Sequence, residues 1–219
     1  MSLLASDFEK VRDRMVEEQL IPRSIHDPKT LDAMRKVPRH LFVEDALKSQ
    51  AYGDFPLPIG SGQTISQPYI VALMTQALGL QGHEHVLEIG TGSGYQAAIL
   101  SQICEKVYTV ERMDTLLVQA RKVFDSLHYL NILTKLDDGT NGWPEYKPYD
   151  AIIVTAGGPK VPLPLLEQLA DPGILVIPVG DRAVQDLRSV TKKDGKITEK
   201  TIEFVRFVNL IGDHGWQND

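Results

Sequence analysis

The stretch His85-Val86-Leu87-Glu88-Ile89-Gly90-Thr91-Gly92-Ser93-Gly94-Tyr95 is an apolar run that carries a carboxylate near its end and enters three alternating glycines before a segment of helical spacing. It predicts a strand, a tight turn and a helix in succession. Glycine adopts positive φ without steric cost and lets a ligand approach the backbone, and the first amides of a helix from Tyr95 offer a partly positive surface. That construction suits a nucleotide-like ligand. Glu88 beside it would repel a diphosphate but attract a cationic group, such as the amino end or the sulfonium of S-adenosylmethionine. The sign of the charge therefore favours methyl transfer over dinucleotide chemistry.

Working outward, Lys106-Val107-Tyr108-Thr109-Val110-Glu111 is a second apolar run ending in an acid. It lies about 20 residues beyond the first glycine, where a carboxylate accepts hydrogen bonds from both ribose hydroxyls. This spacing fits nicotinamide cofactors and S-adenosylmethionine alike, and Gly92-Ser93-Gly94-Tyr95-Gln96-Ala97 even satisfies the G-x-G-x-x-A dinucleotide pattern. The third strand separates them. It leads into Asp137-Asp138-Gly139, where a carboxylate and a glycine suit the exocyclic amine and the edge of adenine. Each acid alone could be a solvated strand terminus. Glu88, Glu111 and Asp138 together, at three successive strand ends around Gly90, Gly92 and Ser93, point to a cofactor site that Gly139 shares.

From residue 85 onward, strands are predicted at 85–89, 106–111, 132–135, 149–155 and 173–179, and helices at 95–104, 114–127 and 163–170. Such alternation builds a parallel sheet with helices on both faces. Segments 187–192 and 196–210 flank Lys192-Lys193-Asp194-Gly195 and read as an antiparallel hairpin. Upstream, Phe8, Val11, Met15, Val16 and Leu20 are spaced along one helical face that Pro22 closes. Further helices are predicted at 29–34 and 69–80, the latter ended by Gly79 or Gly82. Residues 52–68 hold Gly53, Pro56, Pro58, Gly60, Gly62 and Pro68 and are expected to form a shaped loop. The expected class is α/β, with a helical cap and active-site loop over residues 1–80 and a cofactor-binding core over 81–219, joined in one compact unit.

Composition sets the limits. A chain of 219 residues buries enough surface for one α/β domain with modest additions. No apolar run approaches the roughly 20 residues that span a bilayer, so no membrane partner is expected. A net charge of −6 argues against a broad nucleic-acid footprint, and Lys192, Lys193, Lys196 and Lys200 fit a solvated hairpin. Cys104 is the single cysteine, which excludes an intramolecular disulfide or a cysteine-rich metal site. His83-Glu84-His85 lacks further ligands nearby, so no metal is expected, and Trp143 reads as a packing anchor. The first residues, Met1 to Asp7, have neither a basic stretch nor a long apolar core, which makes the cytoplasm the expected compartment.

Chemistry narrows the acceptor. Amino-directed adenine methyltransferases carry an Asn/Asp-Pro-Pro-Tyr/Phe element after the fourth strand, where this chain has Thr155-Ala156-Gly157-Gly158. C5-pyrimidine enzymes need a Pro-Cys nucleophile, whereas Cys104 follows Ile103 in a predicted helix. Metal-dependent catechol enzymes place an acidic ligand where Thr155 stands. What remains is Gly60-Ser61-Gly62-Gln63-Thr64-Ile65-Ser66-Gln67-Pro68-Tyr69, a loop without an evident acid–base pair. An ionised carboxylate is already nucleophilic and needs no strong base, so such a loop suits carboxyl methylation.

Here the chain closely resembles the protein-L-isoaspartate (D-aspartate) O-methyltransferases. The resemblance runs through the helical N-terminus, the Thr64-Ile65-Ser66-Gln67-Pro68 element, the glycine turn, Tyr149 to Ala156 and Leu169 to Gly180, nearly the whole chain. It implies the S-adenosylmethionine-dependent methyltransferase fold and transfer of a methyl group to the free α-carboxylate of L-isoaspartyl residues in damaged proteins and peptides. S-adenosylhomocysteine would be the product. It further implies that Ser66 is the active-site hydroxyl, that Thr64 and Ile65 close over the cofactor, and that Glu111 and Asp138-Gly139 hold ribose and adenine. Ala156, Gly157 and Gly158 would let a peptide backbone lie close. Ser66 could instead cap the helix starting near Gln67 or Pro68. Asn209 stands where the family often has proline, and Gly212-Asp213-His214-Gly215-Trp216 follows no family pattern. Another carboxyl or small-molecule O-methyltransferase, and a noncatalytic cofactor-binding protein, stay open as alternatives.

Overall fold

A computed structural model of the chain describes residues 5–217; Met1 to Leu4, part of the stretch read for a leader, lie outside it. Helix α1 (Ala5–Met15) passes through a π turn (Val16–Leu20) and a 3-10 turn (Ile21–Arg23), and ends at Ser24 with φ of 66°. Met15, Val16 and Leu20 are buried as predicted, but Val11 is 37% exposed. Helix α2 (Pro28–Lys36) starts on Asp27, whose carboxylate accepts from the Thr30 amide at 2.9 Å and its hydroxyl at 2.6 Å.

The expected loop at 52–68 contains a small hairpin, β1 (Leu57–Gly60) and β2 (Gln63–Ile65), paired antiparallel. Ser61 and Gly62 both have positive φ, the geometry of a two-residue turn whose twist matches the strands. Leu57, Ile59 and Ile65 are buried, so the hairpin is fixed to the core by one face. Helix α3 (Pro68–Leu78) follows and ends at Gly79.

The core alternates as predicted: β3 (His85–Ile89), α4 (Tyr95–Ser101), β4 (Lys106–Glu111), α5 (Asp114–Ser126), β5 (Ile132–Leu136), β6 (Tyr149–Val154), α6 (Leu163–Gln168), β7 (Leu169–Gly180), β8 (Gln185–Lys193) and β9 (Lys196–Val205). The sheet order is β5-β4-β3-β6-β7-β8-β9, parallel through β7 and antiparallel at β8 and β9. The chain leaves β3 toward β4 and β5, then returns on the other side of β3 as β6. Ligands bind open α/β sheets at such a reversal, beyond the carboxyl ends of the strands. The last strand stops at Val205 rather than 210, and the released segment runs back to the sheet, where Asn209 bridges Gly157.

Alternate strand residues feed two cores. Val86, Val107, Ala151 and Ile153 pack with the N-terminal helices, α3, α4 and α5; Leu87, Val110, Ile152 and Leu175 pack with α6, Trp143 and Tyr149 on the other face. The second face is the thinner, with α6 as its short helix. Trp143 is an anchor there, edge-on to Tyr108 at 5.8 Å. Arg39 ties cap to core: fully buried, it donates to the Ala51 carbonyl at 2.7 Å and lies 4.9 Å from the Tyr95 ring centroid. A desolvated cation over an aromatic face contributes about 2 kcal/mol. Among the described residues no helix is long and apolar enough to cross a membrane.

Candidate active site

The turn after β3 is held from both neighbouring strands. Gly90 donates to Val110 O at 2.9 Å, while the Thr155 hydroxyl donates to Gly90 O at 2.7 Å. Gly90 has φ of +95°, and a Cβ there would stand 2.5 Å from Thr155 Oγ1. Gly94, at φ +89°, opens α4, and its Cβ would meet the Phe124 ring at 2.7 Å. Both glycines are therefore required by close packing as well as by backbone conformation.

Glu111 completes the turn. Its Oε2 accepts from Gly92 N at 2.9 Å and its Oε1 from Met113 N at 3.0 Å. Two fixed amides orient the carboxylate while leaving lone pairs for a ligand's hydroxyls. Glu111, Gly90, Gly92, Ser93 and Gly139 all border one cavity of about 510 Å³, and Thr64, Ile65 and Ser66 border it from the β2 side. The structure thus gathers eight of the expected site residues around a single space.

Glu88 and Asp138 differ from expectation. Glu88 is fully buried within β3, accepts the Thr109 hydroxyl at 2.5 Å and does not border the cavity. Burial, reinforced by the nearby Glu111 charge and opposed by the Thr109 hydrogen bond, pushes its carboxyl up to about 8. It is an interior residue because β3 is central and continues one residue beyond it. Asp138 turns its carboxylate to protein groups: Oδ1 accepts from the Thr140 amide and hydroxyl, both at 2.8 Å, and Oδ2 from Asp213 N at 2.7 Å. Its glycine neighbour reaches the cavity; Asp138 anchors the tail.

That tail is the part of the site that motif reading missed. Phe207 to Ile211 form a cavity wall, fastened by Gly157 N to Val208 O at 2.8 Å and Leu210 N to Gly157 O at 2.9 Å. Trp216 Nε1 donates to Gly157 O at 3.0 Å. The signal available was Trp216, a large aromatic in an otherwise polar end. Ser66 does not cap α3: the cap position is Gln67, with no side-chain capping bond. His83 is exposed and His85 tilts against Tyr108, and among the described residues no three acids, histidines or cysteines cluster as a metal site.

Comparison with known proteins agrees with this geometry. The model of the Protein-L-isoaspartate(D-aspartate) O-methyltransferase family matches residues 10–215. The chain belongs to this family. Its relatives include protein-L-isoaspartate O-methyltransferase 1 of Syntrophobacter fumaroxidans, 58% identical over 96% of this chain and 99% of the relative. The enzyme of Desulfotalea psychrophila is 56% identical over 98% and 100%. A solved protein-L-isoaspartate O-methyltransferase superposes with a TM-score of 0.84 at 29% identity, covering 95% of this chain and 67% of that one. A Plasmodium falciparum beta-aspartate methyltransferase in complex with S-adenosyl-L-homocysteine has the same fold, with a TM-score of 0.79 at 24% identity over 91% and 98%.

Family membership brings S-adenosylmethionine as cofactor, and the residues present fit it. The glycine turn offers open backbone where side chains would intrude, and Glu111 presents an oriented carboxylate to the same cavity, an acceptor suited to hydroxyl donors. Replacing Glu111 with alanine should weaken S-adenosylhomocysteine binding about 30- to 1000-fold, from the loss of roughly 2–4 kcal/mol of charge-assisted hydrogen bonds. Calorimetry on a protein with an unchanged circular dichroism spectrum measures this; unaltered affinity would refute the assignment.

Proposed function

We propose that this chain transfers the methyl group of S-adenosylmethionine to the free α-carboxylate of L-isoaspartyl residues in damaged proteins and peptides. The observation that carries the reading is the chemistry of the cavity wall. Its titratable groups are Tyr95, Glu111, Arg112 and Arg182. Glu111 is bound to two amides, Tyr95 is held protonated by burial, and the arginines are cationic. Among the described residues of the wall none is poised as a strong general base, and a carboxylate acceptor needs none. The arginines instead favour an anionic substrate.

When bound, the cofactor supplies a methyl group on a positively charged sulfur. The chain's task is then to position and to exclude. In this reading Glu111 holds the ribose, the backbone at Gly90, Gly92 and Ser93 and the wall at Gly139 seat the rest, and Thr64 and Ile65 cover it. Ser66 donates one hydrogen bond to the substrate carboxylate and aims its oxygen along the transfer direction. Proximity and orientation supply most of the acceleration. Ala156, a small residue just beyond β6, borders the cavity and leaves room for a peptide backbone, whereas the expected Gly157 and Gly158 are buried against Gln185 and Leu210 and serve to seat the tail. The released ester would then close to a succinimide and open partly to aspartate without further enzymatic help. We assign residues 1–80 to the cap that brings the loop and 81–219 to the core that brings the cofactor, a single unit supported by one apolar cluster running from Met15 to Val205. The cytoplasm is the compartment we propose.

Matched peptides that differ only in an aspartyl or isoaspartyl linkage carry equal charge, so discrimination between them must come from where the backbone places the carboxylate. Methylation of the isoaspartyl peptide alone is expected. Equal methylation of both would favour a general carboxyl methyltransferase, and binding without transfer would favour a noncatalytic role.

Ser66→Ala should slow single-turnover methylation by roughly 10- to 100-fold, the worth of one preorganised hydrogen bond, with cofactor affinity nearly intact. Trapping of a methyl or acyl group on Ser66 would contradict direct transfer.

A further inference from the structure

Glu88 is a buried carboxyl that the mechanism above does not use. Its Oε1 has no hydrogen-bond partner, and its Oε2 is joined to the glycine turn by a chain of two hydroxyls. Thr109 Oγ1 lies 2.5 Å from Glu88 Oε2 and 2.7 Å from Thr91 Oγ1, and Thr91 borders the cavity. A carboxylate in such a place has one oxygen without a proton donor, which is costly; a neutral carboxyl relieves most of that cost.

Among the described residues no cation is bonded to it, and the buried Arg39 of the cap lies against the Tyr95 ring instead. Across the strand pairings stand Thr109 and Ile153. The helices over this face, α3 and α4, carry Tyr69 and Tyr95 and no acid or base, and α5 directs Asp114, Arg121, Lys122 and Asp125 to solvent. The charged group that acts on Glu88 through space is Glu111, which opposes a second negative charge. A positive charge entering the cavity would reverse this balance.

We infer that Glu88 is a proton-linked charge sensor of the cofactor site, neutral in the empty protein and ionised when a cationic ligand fills the cavity. The proton leaves to solvent, and the hydroxyl chain reorients so that Thr91 donates to Thr109 and Thr109 to Glu88. The cationic methyl donor is thereby bound with release of a proton, and the neutral product S-adenosylhomocysteine without it. Affinity for the donor rises with pH until Glu88 ionises in the free protein, while affinity for the product does not follow. Product release after transfer is favoured because the charge that stabilised ionised Glu88 has gone. This inference rests on the proposed cofactor use, but its readout is binding alone, so inactivity toward isoaspartyl peptides would sink the proposed substrate and leave it standing.

The test is calorimetry near pH 7 in buffers of differing ionisation enthalpy, with S-adenosylmethionine and S-adenosylhomocysteine in parallel. The donor should release about one proton more than the product, and the ratio of their affinities should rise roughly tenfold from pH 6.5 to pH 8. Glu88→Gln, which cannot titrate, should abolish both differences. Equal proton release for the two ligands, or an unchanged difference in Glu88→Gln, would overturn the inference. If that variant does not fold, carbon-13 NMR of glutamate carboxyls in the unaltered protein gives the same decision, with the Glu88 signal assigned through Glu88→Asp. A signal neutral at pH 7 without ligand and ionised with the donor is expected; one ionised in both overturns the proposal.

Discussion

The site depends on one backbone constraint: the peptide between Gly90 and Gly94 must cross from a central strand to a helix while its amides stay pinned. Val110 and Thr155 hold the first glycine from the strands on either side, and Glu111 holds the third residue of the turn through Gly92 N. Because the two strands flanking β3 are β4 and β6, the pins come from both halves of the sheet. The turn therefore cannot shift without breaking the sheet's own register, and the cavity inherits the rigidity of the core. The cap adds a movable-looking element, the β1–β2 hairpin, yet its buried Leu57, Ile59 and Ile65 make it part of the same packing.

Much of this was legible in the residues. Strand positions from β3 to β6, and the later part of β7, follow from short apolar runs, and the hairpin of β8 and β9 from Asp194-Gly195 between alternating segments. Local patterns were less informative where tertiary contacts decide. The apolar stripe passes at Val16 from an α-helix into a π turn, which no period-3.6 reading anticipates. The hairpin at 57–65 was masked by the same prolines and glycines that argue against helix, although Ser61-Gly62 between alternating buried residues is its signature. Helix α6 ends at Gln168 rather than 170 because β7 begins at Leu169 beside Tyr149, a pairing set by the sheet.

The three acids illustrate the limit for the site. All were placed correctly along the strands, yet strand position does not tell which way a carboxylate turns. Glu111, at the last residue of β4, reaches the cavity; Glu88, one residue short of the end of β3, stays inside the sheet; Asp138, beyond β5, is claimed by backbone groups of residues 140 and 213. The last of these was unreadable because its partner, Asp213, lies 75 residues away in sequence. Chain ends that fold back over a site reveal themselves through long-range hydrogen bonds rather than through composition.

On the proposed function, one cavity brings cofactor and substrate carboxylate together between Glu111 and Ser66. A crystal structure of the complex with S-adenosylhomocysteine and an isoaspartyl peptide tests it most directly. Both ribose hydroxyls are expected on the Glu111 carboxylate and the peptide's α-carboxylate within hydrogen-bond distance of Ser66 Oγ, with one oxygen facing the sulfur. A ribose held elsewhere, or a peptide carboxylate seated away from Ser66, would contradict it.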